Sequence, residues 1–519
     1  MTFQKRIEMD RFKLSPGEHA GCSFAELLLK IRESGTPAEI FLRRGRYLFC
    51  KADAVLCSQP VSNTLVYDGN IPHKHVGLLL DGLSDLTIEG NGAEFIFDGD
   101  MSGIAMLNCR NIVLRNFSMD WLHPRVAEMR CTASREHEAC FELHPDSRAV
   151  IQSGKLFFLN PDGLPERAEK WIAQCAAADG ESNKRSVFHP YAEAVECSEP
   201  APGKFQFRYQ EPQNIEVGSV WQFRNPVRNE NGIFLHQCEN VELDHLRLYF
   251  TPGLGVVAQL CRDLNIHDHI HAPKPGSGRV CAAFADCIQI SSCRGKVRIA
   301  GSCFSGSQDD PVNIHGTYLG VQRVDGRKAA LAFMQPETWG FLPFEPGDEV
   351  ALVDAETLER VAFAHVRHAW LKDCRHVELE LDAALNPGEK RYVIENLSAC
   401  PEALIENNLF RCYPTRGVLI STSAPGIVRK NTFVQAPPRP AILISADAGS
   451  WYESGGVRDL LIEENRFENC SVPAISIHPA NEDRFPLHRG IRIRNNTFIH
   501  CTTPYLYAQG CAEVETDLI

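Results

Sequence analysis

Short apolar runs recur along the chain, each followed by polar residues and by a second short run that ends near Asn-x-Phe. Each run is interpreted as a short strand, because it is bounded by turn-forming residues. A supersecondary unit that repeats in this way is typical of repeat architectures. The clearest units are "NIVLRNFSM" from Asn111, "ALIENNLF" from Ala403, "GIVRKNTF" from Gly426, "LLIEENRF" from Leu460 and "GIRIRNNTF" from Gly490.

The spacing of these units predicts a parallel β-helix. They recur at intervals of roughly 20 to 35 residues, the length of one solenoid coil with several short strands. Because a single coil cannot bury its inward side chains, neighbouring coils stack about 4.8 Å apart. Asparagine at the turns tolerates left-handed backbone geometry and bonds along the stack. A β-propeller or sandwich expects two-residue hairpin turns, which are scarce here. The asparagines concerned are Asn408, Asn431, Asn465 and Asn496.

The N-terminal region predicts a helix followed by strands. Residues 24–34 contain a cluster of leucine and isoleucine, and Gly35 follows as a stop signal. Residues 38–49 predict a strand, a tight turn and a second strand. Residues 86–98 predict two short strands around Gly90-Asn91-Gly92.

Two stretches interrupt the repeat. Residues 125–228 lack the Asn-x-Phe unit, and residues 318–398 contain strand-rich segments such as "EVALVDAETLERVAFAHV". Both are interpreted as insertions that fold as small antiparallel β units grown out of coil turns. The predicted parts are an N-terminal β-helix part (1–124), an inserted β domain (125–228), a central β-helix part (229–317), a second inserted β domain (318–398) and a C-terminal β-helix part (399–519).

Composition and charge narrow the function classes. The chain of 519 residues is 44% hydrophobic and 23% charged, which is typical of a globular protein, and its net charge is −13. A net acidic chain without a basic face is a poor nucleic-acid binder. No stretch reaches the roughly 18 apolar residues of a membrane span, and the N-terminus has no apolar signal region. We therefore expect a cytoplasmic protein, or a secreted or periplasmic one if a signal segment was trimmed, with no nucleic-acid or membrane partner.

The 20 cysteines form no CxxC pair. Cys281, Cys287 and Cys293 come closest, but their spacing is wrong for a zinc knuckle. We expect reduced, core-filling thiols and no metal or cofactor.

Three aspartates carry the candidate chemistry. Asp286 lies in "FADCIQIS", and Asp309 and Asp310 lie in "SGSQDDPVNIHG". The separation 309 − 286 = 23 equals the Asn408–Asn431 spacing, so Asp286 is expected beside Asp309 on the adjacent coil. Like charges this close raise at least one pKa. A protonated acid beside an ionised carboxylate is what glycosidic bond hydrolysis requires, although a calcium site or a structural role stays open.

Further residues are candidates for substrate contact near this trio. An exposed tryptophan offers a sugar its apolar face, and a nearby glutamate accepts from hydroxyls. The residues that closely follow the aspartate pair are expected in the same cleft. The candidates are Asn313, His315, Arg416, Asp447, Trp451 and Glu453.

A run of histidines stands out in "NIHDHIHAP". His267, His269 and His271 are expected on one face of a strand, since alternate residues share a side. No cysteine or acid completes an evident metal set, so we expect an outer face or groove wall.

The stretch "ADCIQISSCRGKVRIAGSCFSGSQDDPVNIHGTYL" from Ala285 resembles the core motif of glycoside hydrolase family 110. Further matches are "FMQPETWGF" from Phe333 and "AILISADAGSWYESGGVRDLLIEENRF" from Ala441. That family consists of α-galactosidases that act on terminal α-1,3-linked galactose, as in the blood group B antigen. The resemblance covers most of the chain. It implies an all-β fold, a right-handed parallel β-helix with two inserted antiparallel β-barrel-like domains.

The resemblance also implies roles and partners. The family hydrolyses with inversion, which implies a base that activates water. By residue-to-residue resemblance, Asp286 matches the general acid, and Asp309 with Asp310 match the base, with these labels open to exchange. The implied partner is an α-galactosyl oligosaccharide or glycoconjugate, no cofactor is needed, and a homodimer is one way to close the groove. Departures from the family pattern at residues 287–289 and at Gln335 bear on the linkage or aglycone preference.

Two rival functions are open at this point. A polygalacturonase-like hydrolase also uses a β-helix and a Gln-Asp-Asp step, but it carries Gly-His-Gly and Arg-Ile-Lys motifs that this sequence lacks. A non-catalytic glycan-binding solenoid would keep aromatic residues on its outer face, but it has no need of three clustered aspartates.

Overall fold

The computed structural model describes residues 5–7, 14–64, 70–166, 171–178, 180, 182–434, 438–480 and 485–518. These residues are mostly β, with one α-helix at Gly21–Ser34 and a short 3₁₀ turn at Lys51–Asp53. The helix packs Phe24 against the rings of Phe49 and Phe95 in the first coils. It ends at Gly35, whose left-handed φ of 59° confirms the predicted stop.

Three ladders of strands form the β-helix, and each coil contributes one strand to each ladder in turn. The first ladder contains Lys5–Ile7, Ala38–Phe41, Ser84–Asp98, Arg110–Trp121, Glu239–Asp244, Arg262–His267, Arg294–Ala300, Glu402–Glu406, Gly426–Arg429, Leu460–Glu463, Ile491–Arg494 and Val514–Thr516. The second ladder contains Arg46–Cys50, the later halves of Ser84–Asp98 and Arg110–Trp121, Arg247–Leu248, Ile270–His271, Cys303–Ser305, Leu409–Arg411, Thr432–Val434, Arg466–Glu468 and Thr497–Ile499.

The third ladder carries the candidate chemistry. It contains His73–Asp81, Ser102–Leu107, Asn231–His236, Leu254–Gln259, Ile288–Ser291, Val312–Thr317, Val418–Ile420, Ile442–Ile444, Ile475–Ile477 and Leu506–Ala508, with Val55–Ser58 added antiparallel at its edge. Coil-to-coil pairing within the three ladders is otherwise parallel, which confirms the predicted parallel β-helix.

The asparagine stack holds the C-terminal coils together. The amide of Asn408 donates to Asn431 Oδ1, that of Asn431 to Asn465 Oδ1 and that of Asn465 to Asn496 Oδ1, each at 3.0 Å. Bonding along the stack is therefore confirmed. The left-handed positions are the residues just before these asparagines, with φ of 55° or 56°, since the chain turns one residue earlier than predicted.

Two N-terminal predictions have different outcomes. The strands Ala38–Phe41 and Arg46–Cys50 are confirmed, and both pair in parallel with Ser84–Asp98 as neighbouring sides of a coil. The prediction of two strands in residues 86–98 is wrong. One strand, Ser84–Asp98, continues through a bend at Asn91 and Gly92 and serves two ladders, because each half meets a different side of the next coil.

Both insertions are antiparallel β units. The first forms a seven-stranded sheet and a three-stranded sheet that share an apolar core. The seven-stranded sheet runs in the order Asn183–Ser186, Ile172–Ala176, Val220–Arg224, Ala127–Arg135, Glu138–Leu143, Lys204–Arg208 and Glu196–Ala201. The three-stranded sheet contains Ala149–Gln152, Lys155–Leu159 and Pro165–Glu166.

The second insertion is a closed six-stranded barrel, as predicted. Its barrel order is Leu319–Asp325, Lys328–Phe333, His376–Leu381, Arg360–Leu371, Glu349–Asp354 and Tyr392–Asn396. A short strand, Glu453–Ser454, returns from a C-terminal coil and pairs antiparallel with Val312–Thr317 just before the barrel begins.

Buried thiols form a second stack along the coils. Cys109, Cys238, Cys261 and Cys293 precede first-ladder strands in register and donate to backbone carbonyls. These four therefore act as the small core-filling thiols that we expected. In the described residues, the single helix is too short and polar to cross a membrane.

Candidate active site

The three aspartates lie on the turns that lead into two neighbouring third-ladder strands. Ile288 pairs with Val312, and the N–H of Cys287 donates to the carbonyl of Asp310 at 3.0 Å. Extending this register places Asp286 beside Asp310. The coil offset at this point is 312 − 288 = 24, one residue more than the predicted 23, so Asp286 faces Asp310 rather than Asp309 in the backbone register. Of the two later aspartates, Asp309 nevertheless has the larger electrostatic effect on Asp286. The carboxylates still interact, since the charges of both later aspartates act on Asp286.

Asp310 is fixed by the next coil. Arg416 Nη2 lies 2.7 Å from Asp310 Oδ2, the backbone N–H of Arg416 donates to Oδ1 at 3.0 Å, and the Thr415 hydroxyl also donates to Oδ1. The residue is only 1% exposed. Burial raises the pKa of Asp310 to about 6, against the opposing charge of Arg416. Arg416 therefore lies beside the aspartate trio as the partner of Asp310, and its predicted contact with substrate stays a prediction.

Asp309 is the most exposed of the three, with 21% of its side chain accessible. Burial alone would raise its pKa, but surrounding arginines reverse the effect and hold the pKa of Asp309 below its usual value. Among these arginines, Arg185 of the first insertion has the largest effect, and its Nη2 lies 3.3 Å from Asp309 Oδ2. Asp309 is thus ionised at neutral pH. The arginines are Arg185, Arg416, Arg228 and Arg224.

Asp286 has the opposite character. It is 5% exposed, and burial together with the charges of Asp309 and Asp310 raises its pKa well above the usual value. Arg228 counteracts this only in part. The site therefore combines one carboxyl whose pKa is raised with another whose pKa is lowered, which is the arrangement that acid–base catalysis at one bond requires.

A polar cluster adjoins the trio on the same ladder. Glu453 Oε1 accepts from Asn313 Nδ2 at 3.3 Å and lies 3.6 Å from His315 Nε2, while Gln289 Nε2 lies 3.1 Å from that histidine nitrogen. Within the described residues, Gln289 Oε1 and Asn313 Oδ1 are buried and lack a hydrogen-bond partner. Unpaired buried acceptors are costly, and ligand hydroxyl groups can satisfy them.

Trp451 lies on a loop that Asp447 shapes. The Asp447 carboxylate accepts the backbone N–H groups of Gly449, Ser450 and Trp451 at 2.6–2.9 Å. Its observed role is to hold this loop, and a sugar contact by Asp447 stays a prediction. Trp451 is 43% exposed, and the guanidinium of Arg228 lies 5.4 Å from its ring centroid.

The histidine prediction is wrong in geometry. Asp268 has φ of 52°, so the chain turns between strands Arg262–His267 and Ile270–His271. His267 consequently lies on the outer surface, while His269 and His271 are fully buried. Alternation along one strand cannot continue through a coil corner.

Comparison with known proteins gives consistent matches. The GLAA-B beta-barrel domain II model matches residues 328–390, within the second insertion. Alpha-1,3-galactosidase A of Bacteroides thetaiotaomicron is 34% identical over 470 residues, covering 89% of this chain and 82% of that protein. Alpha-1,3-galactosidase B of the same organism is 30% identical and covers 97% of this chain and 84% of that protein. The chain belongs to glycoside hydrolase family 110.

Solved structures add little to this family assignment. The match to the exopolygalacturonase from Thermotoga maritima covers 96% of this chain and 82% of that chain, at 8% identity and with a TM-score of 0.39. At that score the likeness supports no conclusion about function, and the fold rests on the strand pairing itself.

Several residues around the aspartate trio were missed by sequence reasoning. Arg185 comes from the first insertion, and Arg224 and Arg228 come from the segment that returns to the β-helix. Glu337 of the second insertion binds Arg228 at 2.6 Å, and Asn63 of the N-terminal part donates to Glu453 at 3.5 Å. Only a weak sequence pattern pointed to these residues. Arg224 and Arg228 lie four positions apart, where the solenoid resumes.

Proposed function

We propose that this glycoside hydrolase is an exo-acting α-galactosidase that removes terminal α-1,3-linked galactose with inversion. The observation that carries the proposal is that the surroundings raise the pKa of Asp286 and lower that of Asp309, in a chain whose relatives are named alpha-1,3-galactosidase. Neither a binding solenoid nor a structural cluster needs carboxyls whose pKa values are pushed apart.

The proposed step uses both kinds of carboxyl. Protonated Asp286 gives its proton to the glycosidic oxygen as the bond from C1 to that oxygen breaks. Ionised Asp309, with Asp310, takes a proton from a water whose oxygen bonds to C1 from the opposite face. Proton exchange with solvent then restores the starting state. The opposite-face attack makes β-galactose the first product.

The walls around the trio support removal of a terminal sugar. Arg185 reaches Asp309 from the first insertion, and Glu337 reaches Arg228 from the second. Side chains from both inserted units therefore bound the site, as a pocket for a chain end requires. In the proposal, Trp451 presents an apolar face to galactose, and the Glu453 cluster binds its hydroxyls.

Aryl α-galactosides with poor and good leaving groups test the acid and base roles. Asp286→Asn should lose activity on the poor leaving group and keep much of it on 2,4-dinitrophenyl galactoside, which needs no protonation. Asp309→Asn should lose activity on both substrates, because the water is no longer activated. Asp382→Asn, in the barrel and away from the site, is the matched control. The reverse pattern would exchange the two roles.

A hydrolysis panel tests the linkage and the stereochemistry. Disaccharides with α-1,3, α-1,4 and α-1,6 galactose are compared, together with branched blood-group-B-type and linear α-1,3 acceptors. The proposal expects preference for α-1,3 and a first-formed β anomer by NMR. A first-formed α anomer would mean retention and would remove the water-activating role of Asp309.

A further inference from the structure

We infer that the outer turn of two central coils is a binding site for a divalent transition-metal ion of the zinc class. Four side chains meet there: Asp244 and His245 on one coil, and His267 and Asp268 on the next. One donor atom from each lies within 4.8 Å of the other three. This site is separate from the aspartate trio and plays no part in the proposed hydrolysis.

The register of the coils explains why these side chains converge. Asp244 pairs directly with His267 in the first ladder, and extending that register by one residue places His245 beside Asp268. Each aspartate thus lies beside a histidine of the other coil, so the four side chains form an alternating set of two imidazoles and two carboxylates. His245 and Asp268 have left-handed φ of 50° and 52°, so both turn away from the ladder at the same corner.

The distances around His267 fit a tetrahedral ion. Bonds of about 2.0 Å to nitrogen and oxygen give ligand-to-ligand edges of about 3.3 Å in a tetrahedron. His267 Nδ1 lies 3.3 Å from Asp244 Oδ1 and 3.0 Å from Asp268 Oδ2. His245 Nδ1 contacts Asp244 Oδ1 more closely than such an edge, so these two atoms would move apart around an ion. An N₂O₂ set of this kind suits zinc better than calcium or magnesium, which prefer oxygen alone.

The orientation of His267 gives a further reason. Its other ring nitrogen, Nε2, lies 2.9 Å from Glu242 Oε1. A carboxylate on the second nitrogen fixes the tautomer and ring position of a metal-binding histidine and increases its basicity. With Nε2–H donated to Glu242, the lone pair of Nδ1 faces the two aspartates, where an ion would replace the proton that otherwise bridges them.

The consequence of binding would be a cross-link between coils. The ion would join Asp244 and His245 to the coil that follows, and that coil leads directly into the turn of Asp286. Because an ion held only by the folded chain stabilises it by mass action, the melting temperature should rise with metal concentration.

The test measures metal binding directly. Chelator-treated protein in a Cys50→Ser background, which disables a three-residue grouping of His19, Cys50 and Asp53, is titrated with zinc and with cobalt(II). We expect one tight site, the visible absorption of tetrahedral cobalt, and a metal-dependent rise in melting temperature. His267→Ala and His245→Ala should each abolish the cobalt spectrum.

Two further variants separate a site from ordinary surface histidines. Glu242→Gln, which keeps the four ligands, should weaken zinc binding roughly 10- to 100-fold. His376→Ala removes an exposed histidine paired only with Asp373 and should change nothing. Zinc binding that is weak in the parent protein, or unaffected by the His245 and His267 variants, would overturn the inference and leave a cluster of ion pairs.

Discussion

The C-terminal coils and the central coils share the same β-helical backbone but differ in how well their buried polar groups are paired. In the C-terminal coils, the side-chain amides of Asn408, Asn431 and Asn465 each donate both to a backbone carbonyl and to the next asparagine of the stack. In the central coils, Asp286 and Asp310 are buried against like charge, and Gln289 and Asn313 keep unpaired acceptors. The same fold therefore supplies a stabilising stack in one region and a strained polar site in the other.

Asp286→Asn should show the largest effect and separate the two regions most clearly. We expect kcat on an α-1,3-linked disaccharide to fall by about 10²- to 10⁴-fold, because a general acid is lost. Stability should rise instead. A carboxyl with a raised folded pKa loses stability as pH rises above its unfolded value, and asparagine has no such loss.

Urea unfolding of wild type and Asp286→Asn at several pH values measures the second half of this prediction. The gain in the variant should grow with pH above about 4. A variant that is inactive and also equally destabilised at every pH would contradict a site maintained at a cost to stability.

Phe433→Ala should give the largest loss of stability in the C-terminal coils. The ring is fully buried and lies 4.7 Å from the centroid of Phe410 and 5.1 Å from that of Phe467. Removal should cost about 4 kcal/mol, because a cavity opens in a stack that cannot collapse. Phe498→Ala, at the partly buried end, should cost less. Chemical denaturation measures both, and a changed kcat in the folded protein would show that the regions are coupled.

Glu128→Gln should reveal a pH dependence in the first insertion. Glu128 accepts the N–H groups of Val280 and Cys281, and burial raises its pKa to about 7 from 4.5. Stability should therefore fall as pH rises from 4.5 to 7, by about 3 kcal/mol relative to the glutamine variant. Unfolding free energies at pH 5 and pH 8 check this.

Glu406 in the C-terminal coils is the matched opposite. Its hydrogen bonds to Arg429 and Arg298 lower its pKa, so its contribution is present above the unfolded value and is lost as pH falls. Glu406→Gln should therefore lose stability mainly at neutral pH. If the stability difference from wild type changed with pH in the same direction for Glu128→Gln and Glu406→Gln, the contrast between the two glutamates would be contradicted.

Asn431→Ala should have the smallest of these effects, about 2 kcal/mol, since it removes one amide and leaves the buried backbone N–H of Asn408 without its acceptor, Asn431 Oδ1. Asn496→Ala, at the open end of the stack, should cost less because water can replace the lost bonds. Equal costs at both positions would mean that burial does not strengthen the stack.

The fold was largely predictable because the same sequence pattern recurs in successive coils of a solenoid. Asn408, Asn431 and Asn465 occupy equivalent corners, so one interpretation applies to many coils. Predictions failed where a corner broke local rules. The bend at Asn91 keeps one strand continuous, and the turn at Asp268 separates His267 from His271, because left-handed residues redirect a chain without ending its pairing.

The sequence by itself determined the coiled architecture and the two insertions, which follow from the repeat and its interruptions. It also determined the grouping of three aspartates, which follows from residues one coil apart. Only the tertiary structure decided which aspartate has a raised pKa and which a lowered one. Arg185, Arg224 and Arg228 come from an insertion more than 50 residues long and its return segment, and their position beside Asp309 depends on how that insertion folds back. Electrostatic effects act through space, so a pattern along the chain does not contain them.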